Sequence, residues 1–176
     1  MSKRDEIAAA AVAVFARHGF AHTSMDLVAQ AAGVSRPALY QYFRNKQDVF
    51  AAVAESVTGR IVAAAERARD TEGPLADRVH GVLRVKLDAA GSAGAPGAGF
   101  PQELVAQAAA MGLTPADDRL VYLLARLLDG TPEPVETAAA LLAATAGIAR
   151  SEGGPEVHRR RLRRLTELVM AGLAVG

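Results

Sequence analysis

Between Arg36 and Tyr42 the chain places a guanidinium, a carboxamide (Gln41) and two phenolic hydroxyls (Tyr40 and Tyr42), with no carboxylate among them. All of these groups donate hydrogen bonds. A guanidinium can pair with guanine or a phosphate, and a carboxamide can pair with adenine. Pro37 and Ala38 between them are small or apolar and offer contact to a thymine methyl. An acid-free donor face of this kind suits a groove lined by phosphates. Catalytic groupings do not emerge. The four histidines are scattered, no carboxylate and histidine set has ligand spacing, and GSAGAPGAG lacks the preceding strand of a dinucleotide loop. The absence of cysteine removes disulfides, thiolate metal sites and cysteine nucleophiles.

The donors need short elements to hold them, and the flanking residues supply the signals. Thr23 can cap a helix from Met25 to about Ala32, with Asp26 as the acidic half of a capping box. Gly33 stops that helix and gives the backbone freedom of a turn between packed helices. Ser35 caps a second helix, about 36–43, with Pro37 in its first turn, where a missing amide hydrogen costs little. Asn45 caps a third, with Asp48 at its third position. Val28, Ala31 or Ala32, Val34, Leu39 and Phe43 can share one small core. Ala29 is small enough for the helices to cross closely. Helix, glycine turn, helix is the sequence form of a helix-turn-helix DNA reader.

The run Ile7, Ala10, Ala11, Phe15, Gly19, then TSMD, then Val28, Ala29, Ala32, Gly33, Val34, Ser35, then Leu39, Tyr40, Tyr42, Phe43, Lys46 resembles the amino-terminal domain of TetR-type (tetracycline-repressor-like) transcription regulators. The likeness covers about residues 5–50 at many fixed spacings. It implies DNA contacts from Thr23, Ser24, Ser35, Arg36, Pro37, Ala38, Tyr40, Gln41, Tyr42 and Lys46. Pro37 and Ala38 match base-contacting positions, and Tyr40, Tyr42 and Lys46 match backbone positioners. Two readings stand for Tyr42, phosphate contact or core packing, and two for Gln41, adenine readout or a direction along the groove. The amide ends of the helices after Thr23 and Asn45 are further phosphate sites.

Composition bounds the rest. A chain of 176 residues can bury a real core in one domain or two small ones, and the 51% hydrophobic content is rich in alanine without alternating β-branched runs. The expected class is all-α. Net charge is only +1, so nucleic-acid affinity has to come from a local surface, and residues 1–50 hold six Lys/Arg against four acids. No apolar run of membrane-spanning length and no signal-peptide cleavage pattern is present, which predicts a soluble, cytoplasmic protein.

Helical spacing predicts a first helix over about 3–18, ended by Gly19, and a long one from Lys46 to about Asp70 that can act as a lever from the reader into a helical body. Further helices are expected over about 75–90, 102–111, 115–129 (capped by Thr114), 135–151 and 156–174. Leucines on several sides of 115–129 suggest a fully buried helix. The segment 91–101 reads as a loop or as an interdomain linker. The domains expected are 1–48, the reader, and 49–176, the body. Apolar stripes over Val135–Ala149 and over Leu162, Leu165, Val169 and Leu173 permit a four-helix bundle between two chains, with Leu142 and Ala146 in the seam, or fill the chain's own core. In the resembled family the last two long helices pair the chains. Phe100, Met111 and Tyr122, the large residues of the body, are the candidate effector wall. The basic run HRRRLRR, 158–164, fits a solvated helix face better than a nucleic-acid patch.

The expectation is a homodimeric regulator of transcription, a repressor, that binds a palindromic DNA operator and is released by a small hydrophobic effector. No cofactor and no metal is expected. The alternatives are a DNA-binding regulator without a small ligand, controlled by a protein partner or constitutive, and an enzyme using the body as a pocket.

Overall fold

The computed structural model describes residues 2–91, 102–113 and 116–174. Among the described residues the chain forms helices and no strand, in the order α1 (Lys3–His22), α2 (Met25–Ala31), α3 (Arg36–Tyr42), α4 (Lys46–Arg69), α5 (Leu75–Gly91), α6 (Gln102–Ala110), α7 (Ala116–Leu127), α8 (Pro134–Arg150) and α9 (Pro155–Leu173). The all-α expectation holds. No helix among these residues is long and apolar enough to cross a membrane. The expected loop at 91–101, Phe100 and the Thr114 cap fall mostly or wholly outside the described residues.

The described residues divide into two compact units. The first runs to Gly59 and takes in α6 and the turn after it. It therefore differs from the expected 1–48 reader in two ways: it keeps the first half of α4, and it recruits a helix from the middle of the chain. Leu104 of α6 is enclosed with Ile7, Ala11 and Phe15 of α1, Val28 of α2, Leu39 and Phe43 at α3, and Val49, Phe50 and Val53 of α4. Phe15 and Phe20 each meet Phe50 edge-on with ring centroids 5.1 Å apart. The fully buried Phe15 and Phe50 contribute about 1.5–3 kcal/mol each by burial.

Gly19 interrupts α1 as expected, but the chain resumes helically to His22 beyond a kink with φ 68° and ψ 172° at the glycine. The cap of α2 is shifted by one residue from the expected place. Ser24, not Thr23, accepts the Leu27 N–H. The Thr23 hydroxyl instead turns inward and donates to the Gly19 carbonyl at 2.7 Å. Asp26 consequently closes no capping box.

The second unit holds α5, α7, α8, α9 and the end of α4 from Arg60. Its core joins Ala65, Val79, Val82, Leu83, Leu120, Leu124, Leu128, Ala138, Leu141, Leu142 and Leu162. The half-buried Lys86 of α5 pairs with Asp117 of α7. Helix α7 is not buried all round. Leu120, Leu123 and Leu124 face the core, whereas Tyr122 is 66% exposed. A single face suffices because α7 lies at the edge of this unit, packed against α5 and α8.

Candidate nucleic-acid interface

The first unit presents α3 outward. Its one fully buried side chain is Leu39, and Phe43 at its carboxyl end is also buried, so these two anchor the helix. The turn before it is closed by Gly33 at φ 64° and by Val34 N–H donating to Ala29 O at 3.0 Å. Ser35 accepts the Ala38 N–H and caps the helix, as the sequence predicts. With the anchors on one side, Arg36, Pro37, Tyr40, Gln41 and Tyr42 are exposed and Ala38 is half-buried. The expected donors therefore share one open face. Tyr42, at 39% exposure, is not packed away in the core.

Arg36 is held before any ligand arrives. Its Nη1 lies 3.1 Å from Asp26 Oδ2 and its guanidinium overhangs the Tyr40 ring at 5.8 Å. Tyr40 first, then Asp26, pushes its pKa further up, so the charge is permanent. Asn45 accepts the Asp48 N–H at 2.9 Å and starts α4 as expected.

Two of the expected contact residues are engaged inside the protein. Thr23 is buried with its hydroxyl on Gly19 O. The Lys46 ammonium donates to Phe20 O at 2.8 Å and Ala21 O at 3.1 Å and sits 4.6 Å from the Phe20 ring. It thus neutralises the carbonyl end of α1. Ser24 is exposed, but its oxygen serves as the α2 cap.

Arg4 was not singled out by sequence. Its guanidinium lies 4.6 Å above the Phe43 ring and donates to Asp48 Oδ1 at 3.2 Å. With Tyr40, Gln41, Tyr42, Arg44 and Asn45 it lines an open basin of about 600 Å³ at the carboxyl end of α3. The only signal in the sequence was a cation in the first turn of a helix otherwise apolar on one face.

Of the candidate effector wall, Met111 and Tyr122 belong to different compact units. Phe100 lies outside the described residues. Met111 packs against the core of the first unit, because α6 belongs there. Tyr122 lines an open groove of about 400 Å³ in the second unit, with Val62, Glu66, Arg69, Asp118, Arg119, Leu123 and Arg126. Arg126 donates to its hydroxyl at 3.3 Å.

The candidate seam residues differ in burial. Leu142 and Leu162, 4% and 0% exposed, pack in the chain's own core, the second of the two readings the sequence allows. Ala146, Leu165, Val169 and Leu173 are half-buried. The outward faces carry Ala140, Ala143 and Gly147 on α8, and Leu168, at 56% exposure, on α9. Of the basic run, Arg159 pairs with Glu156, Arg164 with Glu167, and Arg161 donates to Ser151 and the Glu152 carbonyl. These partners make it a helix face engaged in local pairs.

Residues 7–53 match the family model of bacterial regulatory proteins, tetR family. The chain is 30% identical over 86 residues to the HTH-type transcriptional activator FasR of Mycolicibacterium smegmatis, covering 49% of this chain and 39% of that protein. It is 40% identical over 50 residues to the probable acrEF/envCD operon repressor of Escherichia coli K12, covering 28% of this chain and 23% of that one. The chain thus spans less than half the length of the curated relatives it matches. Its fold is that of a TetR-family transcriptional regulator from Streptomyces coelicolor, with a TM-score of 0.74 at 20% identity over 97% of this chain and 95% of that one. Residues 7–53, on the unit that displays α3, are thus an amino-terminal domain of the tetR family of bacterial regulatory proteins, carried on a chain that shares the fold of a TetR-type regulator over nearly its whole length.

Proposed function

We propose that this protein is a homodimeric, sequence-specific DNA-binding regulator of transcription whose α3 enters the major groove. The observation that carries the reading is the exposed, acid-free face of α3, anchored from behind by Leu39 and Phe43. Arg36 makes the base-edge or phosphate contact, Pro37 and Ala38 meet the base surface, and Tyr40, Gln41 and Tyr42 reach neighbouring bases and phosphates. Lys46 acts at one remove, by holding the end of α1.

Two chains pair through the outward faces of α8 and α9. Ala140, Ala143 and Gly147 allow close helix approach and Leu168 supplies apolar contact. Two-fold pairing calls for a palindromic operator, with the two α3 helices one helical turn or a multiple of it apart, about 34–36 Å for one turn. Repression is the simpler output, since a dimer seated on a promoter excludes other proteins without a dedicated activating surface. The relatives' names include both an activator and a repressor, so the sign is tested directly.

A small effector in the second unit would shift the dimer towards a conformer whose readers no longer match the operator, with α4 carrying the change. The groove beside Tyr122 supports a ligand with an apolar part and an acidic group rather than a purely hydrophobic one. Val62 and Leu123 adjoin Arg69, Arg119 and Arg126 there.

Selection of bound duplexes from a random pool by the purified protein tests the reading. Recovery of a palindrome is expected, and a reporter behind that palindrome gives the sign. Recovery of no motif overturns the assignment of α3 as a specific reader.

A further inference from the structure

The basin at the carboxyl end of α3 contains a cation that belongs to neither helix of the reader motif. Arg4 comes from the first turn of α1 and stacks on Phe43, the residue that ends α3. Stacking on a buried ring fixes the guanidinium plane while leaving its edge free to donate. Asp48 adds a second hold. One carboxylate oxygen accepts from Arg4 at 3.2 Å and the other accepts the Arg44 N–H at 3.1 Å. The basin's carboxylate is thereby engaged on both oxygens, while the Arg4 side chain keeps 47% of its exposure.

What remains facing the basin is donor-rich: two guanidinium side chains, two phenols and the Gln41 and Asn45 amides, against one engaged carboxylate. That set suits an oxygen of a singly charged phosphodiester. The same Tyr40, Gln41 and Tyr42 line the basin and the open face of α3, so a strand lying along α3 passes over it.

We propose that Arg4 grips a backbone phosphate of the duplex that α3 reads, just beyond the carboxyl end of α3. Helix α1 then supplies a phosphate clamp outside the helix-turn-helix. The proposal rests on the reading of α3 as a DNA reader. A guanidinium already stacked and paired loses little further freedom on binding, and one phosphate contact contributes to affinity without contributing to base preference.

The test uses the full chain and its selected operator, with an unrelated duplex alongside, titrated between 50 and 200 mM salt. Arg4→Gln keeps a donor for Asp48 but removes the charge. It is expected to weaken both duplexes and to leave the base preference unchanged. Its salt slope should be shallower by about 0.9, so that the same fourfold rise in salt costs the parent about three- to fourfold more than the variant. Arg4→Lys, which keeps the charge, is expected to retain the parent's slope. An Arg4→Gln protein with the parent's slope overturns the clamp, even if its affinity has dropped, because a merely structural role would not change the number of ions released. If the parent selects no duplex at all, the reading of α3 falls and the clamp with it. If the parent binds its operator and only the slope prediction fails, the clamp alone is lost.

Discussion

Arg36 of α3 and Asp26 of α2 meet at 3.1 Å across the turn that joins their helices, with more than half of each side chain exposed. A surface pair of this kind is worth about 0–1 kcal/mol, whereas a bidentate arginine to guanine contributes about 1–3 kcal/mol. A duplex seated on α3 as proposed would therefore outcompete Asp26 for the guanidinium. Arg36→Ala is expected to weaken operator binding by about 1–3 kcal/mol and to relax preference at one base pair. Asp26→Asn should act in the opposite direction, raising affinity, since it frees Arg36 and removes an anion beside the phosphates. Fluorescence anisotropy on the operator and its single-base variants measures both. Two variants indistinguishable from the parent would remove Arg36 from the interface.

Gly19 sits at φ 68° and ψ 172°, a combination that side-chain-bearing residues rarely adopt. The nearest atom to a Cβ built there is Glu103 Oε2 at 3.8 Å, so space is not the obstacle. Gly19→Ala is expected to destabilise the first unit by about 1–3 kcal/mol through backbone strain alone. Urea unfolding followed by circular dichroism reads this as a lower midpoint, and an unchanged midpoint would mean that the kink relaxes without cost.

His80 on α5 is half-buried, with Nδ1 3.5 Å from Thr166 Oγ1 of α9. Burial, then Arg163 and Arg84, pull its pKa below the ordinary value of 6.5, while Asp77 and Glu167 oppose the shift. The folded-state value is the lower one, so the unfolded chain binds the proton first as pH falls. Stability is accordingly full above about 6.5 and declines as pH drops through the depressed folded value. Thermal unfolding from pH 8 to pH 5 should show a falling Tm that flattens in His80→Gln. An equal slope in the variant would assign the decline to other groups.

Leu162 and Leu168 lie six residues apart on α9 with opposite surroundings, fully buried and 56% exposed. Leu162→Ala is expected to cost about 2–5 kcal/mol of stability. Leu168→Glu should leave the protomer folded while shifting light-scattering mass from dimer to monomer. A Leu168→Glu protein that remains dimeric would move the pairing surface elsewhere.

Local signals were legible in the sequence. Ser35, Asn45 and Gly33 do in the structure what their types demand, because a cap or a turn is decided within four residues. Thr23 and Ser24 show where that ends. Both carry hydroxyls suited to a cap, and the choice between them is made by the Gly19 carbonyl, exposed by a kink in another helix. The stripes of α8 and α9 met the same limit. Periodicity marks Leu142 and Leu162 as apolar-face residues but does not say whether the surface opposite belongs to this chain or to another. Arg4 was illegible for a related reason, since its meaning comes from Phe43 and Asp48, about forty residues away.

The enclosure of Leu104 among side chains of α1 to α4 has a consequence for how this protein can be rearranged. A segment cut after Gly59 carries every residue of the proposed DNA-facing surface, yet it lacks the plug for its own interior. Grafted onto a foreign body it would expose the apolar socket that Leu104 fills. The reader is therefore no portable cassette. Any functional chimera must bring residues 102–113 along or draw a matching leucine from its new host.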